Sequence, residues 1–327
     1  MAMAEHLGGA AATLGGIAAD RPVGRRREDR IVGASAATQR VIEQASAASR
    51  VDLPVVVAGP SGSGKEFVAR AVHAWGERAS RPFVTLACGS IPEPLQGREL
   101  LGCAAGQHAL APEAYVGALE RAGDGTVLLD EIELLRQDLR TALLRAISAR
   151  SFTPEGGREP APLRARVIVT TALASDSPFG ELPHHAIALT ALADRREDIL
   201  PLAAHFLASG AAENGVKPIG FTSDARAYLL AETWSGNVRE LRARVSQAVR
   251  LAGGGAVGAE ALLLAAEDQE IPSFKDAKRA FEARYVMSLL RRCGGNISRA
   301  ARLARKDRKD FYDVIRRTGI DPARFRS

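Results

Sequence analysis

Cysteine is scarce in this sequence, and its three copies lie far apart. Cys88, Cys103 and Cys293 form no CxxC motif and no Cys/His cluster in the 327 residues. Neither a zinc site nor a disulfide framework is therefore predicted. The cysteines are expected to be small, reduced, apolar side chains.

Long apolar runs are also missing. None approaches the roughly 18 residues that a membrane helix needs. The arginines near the N-terminus follow the apolar residues there, which argues against a signal peptide. Aromatic residues make up 5% of the chain, hydrophobic residues 46% and charged residues 25%, a balance typical of a globular protein of about two domains. We expect a cytoplasmic protein without a membrane partner.

The net charge of +6 is unevenly distributed. Ser273–Ser327 contains 16 Lys/Arg and 6 Asp/Glu, a net charge of +10, so the rest of the chain must carry −4 to give the total. A mildly acidic body with a basic end is typical of a nucleic-acid-binding module. A solvated basic face without a partner is the alternative.

Short apolar runs alternate with helix-length segments in the first two thirds of the chain. This alternation predicts an α/β domain with a parallel sheet covered by helices on both faces. The runs are Pro54–Ala58, Phe83–Leu86, Val127–Leu129, Arg166–Thr171 and Ala186–Leu189. Later segments show helical spacing alone. The predicted organisation is a flexible arm at 1–28, an α/β domain at 29–194, a helical part at 195–266, a linker at 267–273 and a helical block at 274–327.

A phosphate-binding loop is predicted at Gly59–Lys65, which fits G-x-x-x-x-G-K. The loop follows the strand residues Val55–Val57 and precedes a helical stretch, the context that this motif requires. Its backbone N–H groups and the helix N-terminus would face phosphate oxygens, and Lys65 would add a point charge. The residues predicted to bind the nucleotide here are Gly59, Ser61, Gly62, Ser63, Gly64, Lys65 and Glu66.

Two carboxylates follow a later buried strand. Asp130 and Glu131 end the run Gly125–Glu131, and paired carboxylates at a buried strand end are costly unless they meet a cation or a catalytic water. Asp130 is predicted to hold Mg²⁺ through water, and Glu131 to polarise the attacking water. Both are therefore candidate catalytic residues.

Together these residues resemble the bacterial enhancer-binding proteins, which are sigma-54-type transcription activators with an AAA+ ATPase domain. The resemblance covers nearly the whole chain beyond the N-terminal arm. The segments that carry it are Ile31–Gly33, Gly59–Glu66, Glu99–Gly102, Leu128–Glu131, Arg195–Ile199, Trp234–Leu241 and Gly295–Asn296. It implies an AAA+ fold with a helical lid, ATP or ADP with Mg²⁺ as ligands, Val32 and Gly33 near the adenine, and Arg239 touching the phosphates from the lid.

The resemblance also implies partners and a location. The implied partners are double-stranded promoter or enhancer DNA, RNA polymerase, and further copies of the chain in a dimer or ring, or a related activator in a mixed ring. The implied location is the bacterial cytoplasm, at the nucleoid.

The sigma-contacting loop of the family reads Gly-Ala-Phe-Thr-Gly-Ala, whereas Gly106–Ala111 here reads GQHALA. Because the aromatic tip and the threonine are missing, a weakened contact with sigma-54 is predicted.

Three further departures surround the predicted ATP site. Ala87 and Ala172 stand where the family has asparagines, and a methyl group cannot hydrogen-bond a water or a carboxylate. The segment Phe179–His185 lacks both arginine fingers of the family. An arginine supplied in trans is worth about 10³–10⁵ in turnover, so weak hydrolysis is predicted. His184 and His185 are interpreted as surface residues and not as metal ligands.

A basic helical block ends the chain. Phe274, Ala277, Phe281 and Tyr285 recur at helical spacing and predict an amphipathic helix suited to pairing two chains. Helices are predicted at Ile297–Leu303 and Arg308–Arg317, the latter with Asp307 as N-cap. The block resembles the Fis-type helix-turn-helix of the family, with Arg305 in place of the usual turn glycine. Its predicted DNA-binding residues are Arg299, Arg305, Lys306, Arg308, Lys309 and Tyr312.

Two functions follow from these features. The first is a DNA-binding regulator whose AAA+ module binds ATP but hydrolyses it weakly and does not remodel sigma-54 polymerase alone. The second is a working ATP-hydrolysing sigma-54-dependent activator. A metabolic P-loop enzyme is disfavoured because no substrate site accompanies the loop, and a helical oligomerisation bundle remains the alternative for the C-terminal block.

Overall fold

The computed structural model describes residues 30–107, 113–172, 177–216 and 220–265, and residues 285–325 apart from 288, 305, 319 and 321. The predicted arm, the predicted linker, most of the predicted pairing helix, Arg305 and the loop residues 108–112 lie outside these ranges. The chain divides into two units, Met1–Ala259 and Glu260–Ser327.

A five-stranded parallel sheet forms the centre of the first unit. Its strands lie in the order β2-β3-β6-β1-β7, and a separate antiparallel pair joins β4 to β5. The strands are β1 Val55–Ala58, β2 Phe83–Ala87, β3 Thr126–Asp130, β4 Ser151–Phe152, β5 Ala161–Pro162, β6 Arg166–Thr171 and β7 His185–Ala188. The five sheet strands coincide with the five apolar runs, so the predicted parallel sheet is confirmed.

Helices cover both faces of this sheet. They are α1 Ala36–Ser49, α2 Lys65–Ala74, α3 Glu93–Leu101, α4 Ala118–Arg121 and α5 Gln137–Ala149. Val55 and Val57 of β1 pack in one core with α1 and α2, and Val56 packs in the other core with α3, α4 and α5. The split follows from strand geometry, in which successive side chains point to opposite faces. The strands therefore read as continuous apolar runs because both faces are buried.

The rest of the first unit is helical, as predicted. Its helices are α6 Ile199–Asn214, α7 Ser223–Ala231 and α8 Asn237–Ala252, and α9 Ala259–Leu264 begins at its end. Trp234 is buried between α7 and α8, and its indole N–H donates to the Leu229 carbonyl at 2.9 Å. The buried Arg244 guanidinium bonds Glu240 at 2.5 Å and Glu232 at 3.1 Å, which satisfies its charge.

The second unit is a small helical core. Its described helices include α10 Ile297–Leu303 and α11 Arg308–Thr318. The first has the predicted bounds, and the second runs one residue further than predicted. Asn296 caps α10 by accepting the Arg299 N–H at 3.1 Å. The core side chains are Val286, Leu289, Leu290, Cys293, Ala300, Ala301, Phe311 and Ile315.

None of the described helices has the length and apolar character needed to span a bilayer. All three cysteines are buried, and none is bonded to another.

Candidate functional site

The loop between β1 and α2 has the backbone that a phosphate-binding loop needs. Gly62 has φ +72°, and a Cβ there would lie 2.2 Å from the Gly236 carbonyl oxygen, so a side chain is excluded both by conformation and by space. Gly64 has φ +103°, and a Cβ built on it meets nothing within 4 Å, which leaves open space beside the first turn of α2. A ligand has room to approach the backbone at Gly64.

Lys65 begins α2, and its side chain is buried under the loop. Its Nζ donates to the carbonyl oxygens of Gly59 at 2.9 Å and Pro60 at 3.2 Å. Burial lowers the pKa of Lys65, although the nearby carboxylates of Asp130 and Glu133 partly oppose this effect. An anionic ligand at the loop would supply the negative charge that this buried ammonium lacks.

The two predicted acidic residues lie at the carboxyl end of β3, beside the loop. Asp130 accepts a hydrogen bond from the Thr170 hydroxyl at 2.5 Å, and the N–H of Glu131 donates to the same hydroxyl oxygen at 2.9 Å. Glu131 has φ +56°, the left-handed conformation that side chains rarely adopt. The chain therefore turns sharply after β3 and leaves both carboxylates half-buried near Lys65.

The N-terminus of α8 closes over the loop from the helical part of the unit. The amide of Asn237 donates to the Ser61 carbonyl at 2.9 Å and accepts the Leu192 N–H at 2.8 Å. The backbone N–H of Arg239 donates to the Gly62 carbonyl at 3.1 Å, and its guanidinium contacts the Ser61 hydroxyl at 3.4 Å. These bonds use carbonyl and hydroxyl oxygens of the loop and place Arg239 beside it.

One cavity of about 290 Å³ joins these elements. Nine of the predicted nucleotide-site residues line it, and they are Val32, Gly62, Ser63, Gly64, Lys65, Glu66, Asp130, Glu131 and Arg239. Gly33, Gly59 and Ser61 do not line the cavity but lie against residues that shape it. A Cβ added at Gly33 would lie 2.5 Å from Thr38 and 2.8 Å from Asp198. The Gly59 carbonyl accepts a hydrogen bond from the Lys65 ammonium, and the Ser61 carbonyl accepts one from the Asn237 amide of the lid.

Several residues that the sequence motifs did not single out as site residues also shape the cavity. The Arg195 guanidinium donates to the Ser63 carbonyl at 2.8 Å and to the Thr38 hydroxyl at 3.3 Å. Apolar and ring side chains form the wall opposite the loop, and they include Ile31, Val41, Leu189, Leu202, His205 and Phe206. The sequence analysis noted Arg195 only as part of a segment that carries the family resemblance. Its contact with the loop could not be predicted, because that contact depends on the fold.

The polar groups of the cavity suit a nucleotide with Mg²⁺. The Ser63 hydroxyl is buried and has no hydrogen-bond partner among the described residues. A phosphate would satisfy it, together with Lys65 and the open backbone at Gly64. Asp130 offers the carboxylate oxygen that Mg²⁺ prefers. Glu66, which stands where a Mg²⁺-binding hydroxyl is usual, pairs with Arg70 at 2.7 Å.

The departures from the family pattern lie around this site. Ala87 pairs in register with Asp130 across β2 and β3, and its methyl offers no hydrogen bond there. At Ala172 the backbone N–H, not a side chain, donates to the Glu133 carboxylate at 2.9 Å. The segment predicted to replace the sigma-contacting loop lies between Cys103 and Tyr115, which exchange two backbone hydrogen bonds of 2.9 Å.

One prediction about the segment that lacks arginines is wrong. His184 and His185 were expected on the surface, but both are half-buried. The His184 ring bonds the Ser177 hydroxyl at 3.0 Å and the Leu182 carbonyl at 2.7 Å, because the segment folds tightly around the buried Phe179. Burial lowers the pKa of His185, which forms the start of β7.

Five of the six predicted DNA-binding residues belong to the described part of the second unit. Arg299, Lys306, Arg308, Lys309 and Tyr312 are all exposed, and Arg305 lies outside the described residues. Arg308 and Lys309 lie in the first turn of α11, where positive charge opposes the helix macrodipole, and Asp310 in the same turn offsets part of this charge.

A phosphate loop after β1, an acidic pair at the end of β3 and a helical lid around one cavity define an AAA+ module. The Sigma-54 interaction domain model matches residues 31–178, and the AAA+ ATPase lid domain model matches residues 193–278. The chain therefore belongs to the family of sigma-54-dependent transcriptional regulators with an AAA+ domain.

The relatives agree with this assignment. The transcriptional regulatory protein GlrR of Escherichia coli is 33% identical over 314 residues, which cover 92% of this chain and 70% of GlrR. The regulatory protein AtoC of Escherichia coli is 34% identical over 291 residues, which cover 82% of this chain and 63% of AtoC. The crystal structure of NtrX from Brucella abortus in complex with ADP is similar with a TM-score of 0.65 and 29% identity, over 89% of this chain and 70% of NtrX.

Proposed function

We propose that this chain is a DNA-binding transcription regulator whose AAA+ module binds ATP or ADP with Mg²⁺ but hydrolyses ATP weakly. It acts with further copies of itself or with a related activator in a mixed ring. It does not remodel sigma-54 polymerase alone. The observation that carries nucleotide binding is the cavity between Gly62–Glu66, Asp130 and Arg239. A similar protein, NtrX, was crystallised with ADP and with ATP, which supports the same ligands here.

Each polar residue of the cavity has a role in this proposal. Lys65 and the loop N–H groups bind the phosphates, and Arg239 reaches them from the lid. Asp130 holds Mg²⁺ through water, and the metal neutralises charge on the phosphates. Glu131 polarises the attacking water. Val32 and the apolar wall receive the base.

Weak hydrolysis is proposed from what the site lacks. The sequence has no Lys or Arg between Arg166 and Arg195, so Phe179–His185 supplies no arginine to a neighbouring copy. Ala87 and Ala172 carry no amide that would orient the water or Glu131. The changed tip at Gly106–Ala111 supports a weakened sigma-54 contact. Without an arginine in trans, turnover is expected to fall by about 10³ or more.

The test combines binding and turnover on the purified full chain. A fluorescent ADP analogue and ATP should bind, and Lys65→Ala should weaken binding by about 10–100-fold, the equivalent of one charge-assisted hydrogen bond. Arg145→Ala, an exposed change on α5 that does not line the cavity, is the control. Steady-state ATP hydrolysis should stay near background with and without promoter DNA and sigma-54 polymerase.

The alternative function makes the opposite prediction in the same assay. A working sigma-54-dependent activator would hydrolyse ATP steadily and form open promoter complexes with sigma-54 polymerase. That result would overturn the weak-ATPase proposal. Absence of nucleotide binding at millimolar ATP would overturn both functions.

A further inference from the structure

Thr170 places a hydroxyl group deep in the sheet, next to the two acidic residues of the site. It is fully buried near the end of β6, whose preceding residues Val167–Val169 are apolar. Its Oγ1 donates to Asp130 at 2.5 Å and accepts the Glu131 N–H at 2.9 Å. A buried hydroxyl is unfavourable unless it is hydrogen-bonded, and valine has nearly the same shape. The two bonds are therefore what threonine adds at this position.

These bonds restrain both acidic residues. One fixes a carboxylate oxygen of Asp130, and the other holds the backbone of Glu131 in its left-handed conformation at φ +56°. Two nearby alanines cannot do the same with their side chains. Ala87, opposite Asp130 in the sheet, and Ala172, two residues after Thr170, end in methyl groups.

We propose that Thr170 is a positioning residue that holds Asp130 and Glu131 ready for Mg²⁺ and the nucleotide. The proposal rests on the proposed nucleotide binding. Mg²⁺ demands near-ideal octahedral geometry, so a carboxylate free to rotate binds it less well than one already fixed. Loss of a hydrogen bond behind a metal-binding group typically costs about 10–100-fold in metal affinity.

Two variants, Thr170→Val and Thr170→Ser, isolate the hydroxyl. Thr170→Val removes it and keeps the shape, whereas Thr170→Ser keeps it and removes a methyl. Binding of a fluorescent ADP analogue to the full chain is titrated against Mg²⁺. Thr170→Val should raise the Mg²⁺ concentration for half-maximal enhancement by about tenfold or more, with Mg²⁺-free binding within about twofold of the unmodified chain. Thr170→Ser should restore the original midpoint.

An unchanged Mg²⁺ midpoint in a folded Thr170→Val chain overturns the proposal and leaves nucleotide binding intact. Unmodified chain that binds the analogue without any dependence on Mg²⁺ overturns it as well. If the unmodified chain binds no nucleotide, the proposed function fails and this proposal with it. Thermal unfolding reports whether each variant folds, and if Thr170→Val does not, Thr170→Ser against Thr170→Ala makes the same comparison, again differing by one hydroxyl.

Discussion

At residue scale, Asp198 links the starts of two helices, a role that no sequence motif predicted. Its side chain is fully buried and accepts four hydrogen bonds of 2.6–2.8 Å, from the N–H groups of Ala34 and Ser35 and the hydroxyls of Ser35 and Thr38. Burial acts to raise the pKa of Asp198, but these hydrogen bonds outweigh it and hold the pKa below its ordinary value. The carboxylate joins the start of α6 to the start of α1, which together flank the cavity.

Replacing this carboxylate should destabilise the protein. Asp198→Asn puts an amide N–H₂ where two donors now point, and we expect about 2–4 kcal/mol lower free energy of unfolding at pH 7. Because the folded-state pKa is depressed, the stabilisation is complete above about 3.9, the ordinary Asp value, and is lost as the pH falls through the lower folded-state value. Urea unfolding at pH 7 and near pH 3 measures both effects. The exposed Asp194→Asn is the control, and equal stability of the two variants would contradict the interpretation.

At element scale, the N-terminus of α8 links the lid to the phosphate loop. Asn237 starts this helix with φ +56° and uses its amide to bond Ser61 and Leu192. A short polar residue suits this conformation. The lid therefore meets the loop through the amide of Asn237 and through the backbone and guanidinium of Arg239, and these contacts form only when the two parts of the unit are folded against each other.

Asn237→Gly should loosen this link without straining the backbone, because glycine adopts positive φ readily. We expect faster hydrogen–deuterium exchange at residues 190–194, where the Leu192 N–H loses its acceptor, with exchange in β3 unchanged. Asn214→Gly, which removes an amide bonded to Gly210 within α6, is the matched control. Equal exchange at 190–194 in the two variants would show that the amide does not hold the lid.

At the scale of the whole molecule, charge is separated between the two ends of the chain. The segment Ser273–Ser327 carries a net charge of +10, and the remainder carries −4. The proposed nucleotide site offers a few buried groups to an anion, whereas Arg308 and Lys309 of α11 are exposed to solvent. A surface with exposed cations suits a polyanion, whose binding weakens steeply with salt.

Lys309→Ala tests this surface by its salt dependence. If Lys309 contacts a phosphate of DNA, the slope of log K against log salt should become shallower by about 1, with affinity lost equally across sequences. Arg226→Ala, an exposed change on α7, removes the same unit of charge far along the chain. Fluorescence anisotropy with a random duplex at several salt concentrations measures the slope. An identical loss in both variants would indicate a general charge effect and no DNA face at α11.

Local patterns predicted much of this protein. The five strands, the phosphate loop, the acidic pair and the helices α10 and α11 could be read from the sequence, because each depends on residues within a few positions of one another. Positive φ at the loop glycines follows from the motif itself. The half-buried state of His184 could not be read, because it depends on how the chain packs around Phe179.

The sequence by itself determined the class of fold, the residues of the phosphate loop and the family. Only the tertiary structure decided which residues meet at the cavity. Asp198 lies some 160 positions from Ser35 and Thr38, and Thr170 lies 40 positions from Asp130. Short-range spacing sets strands and loops through local backbone geometry, but hydrogen bonds between distant side chains exist only after the sheet and the lid have packed, so no local pattern encodes them.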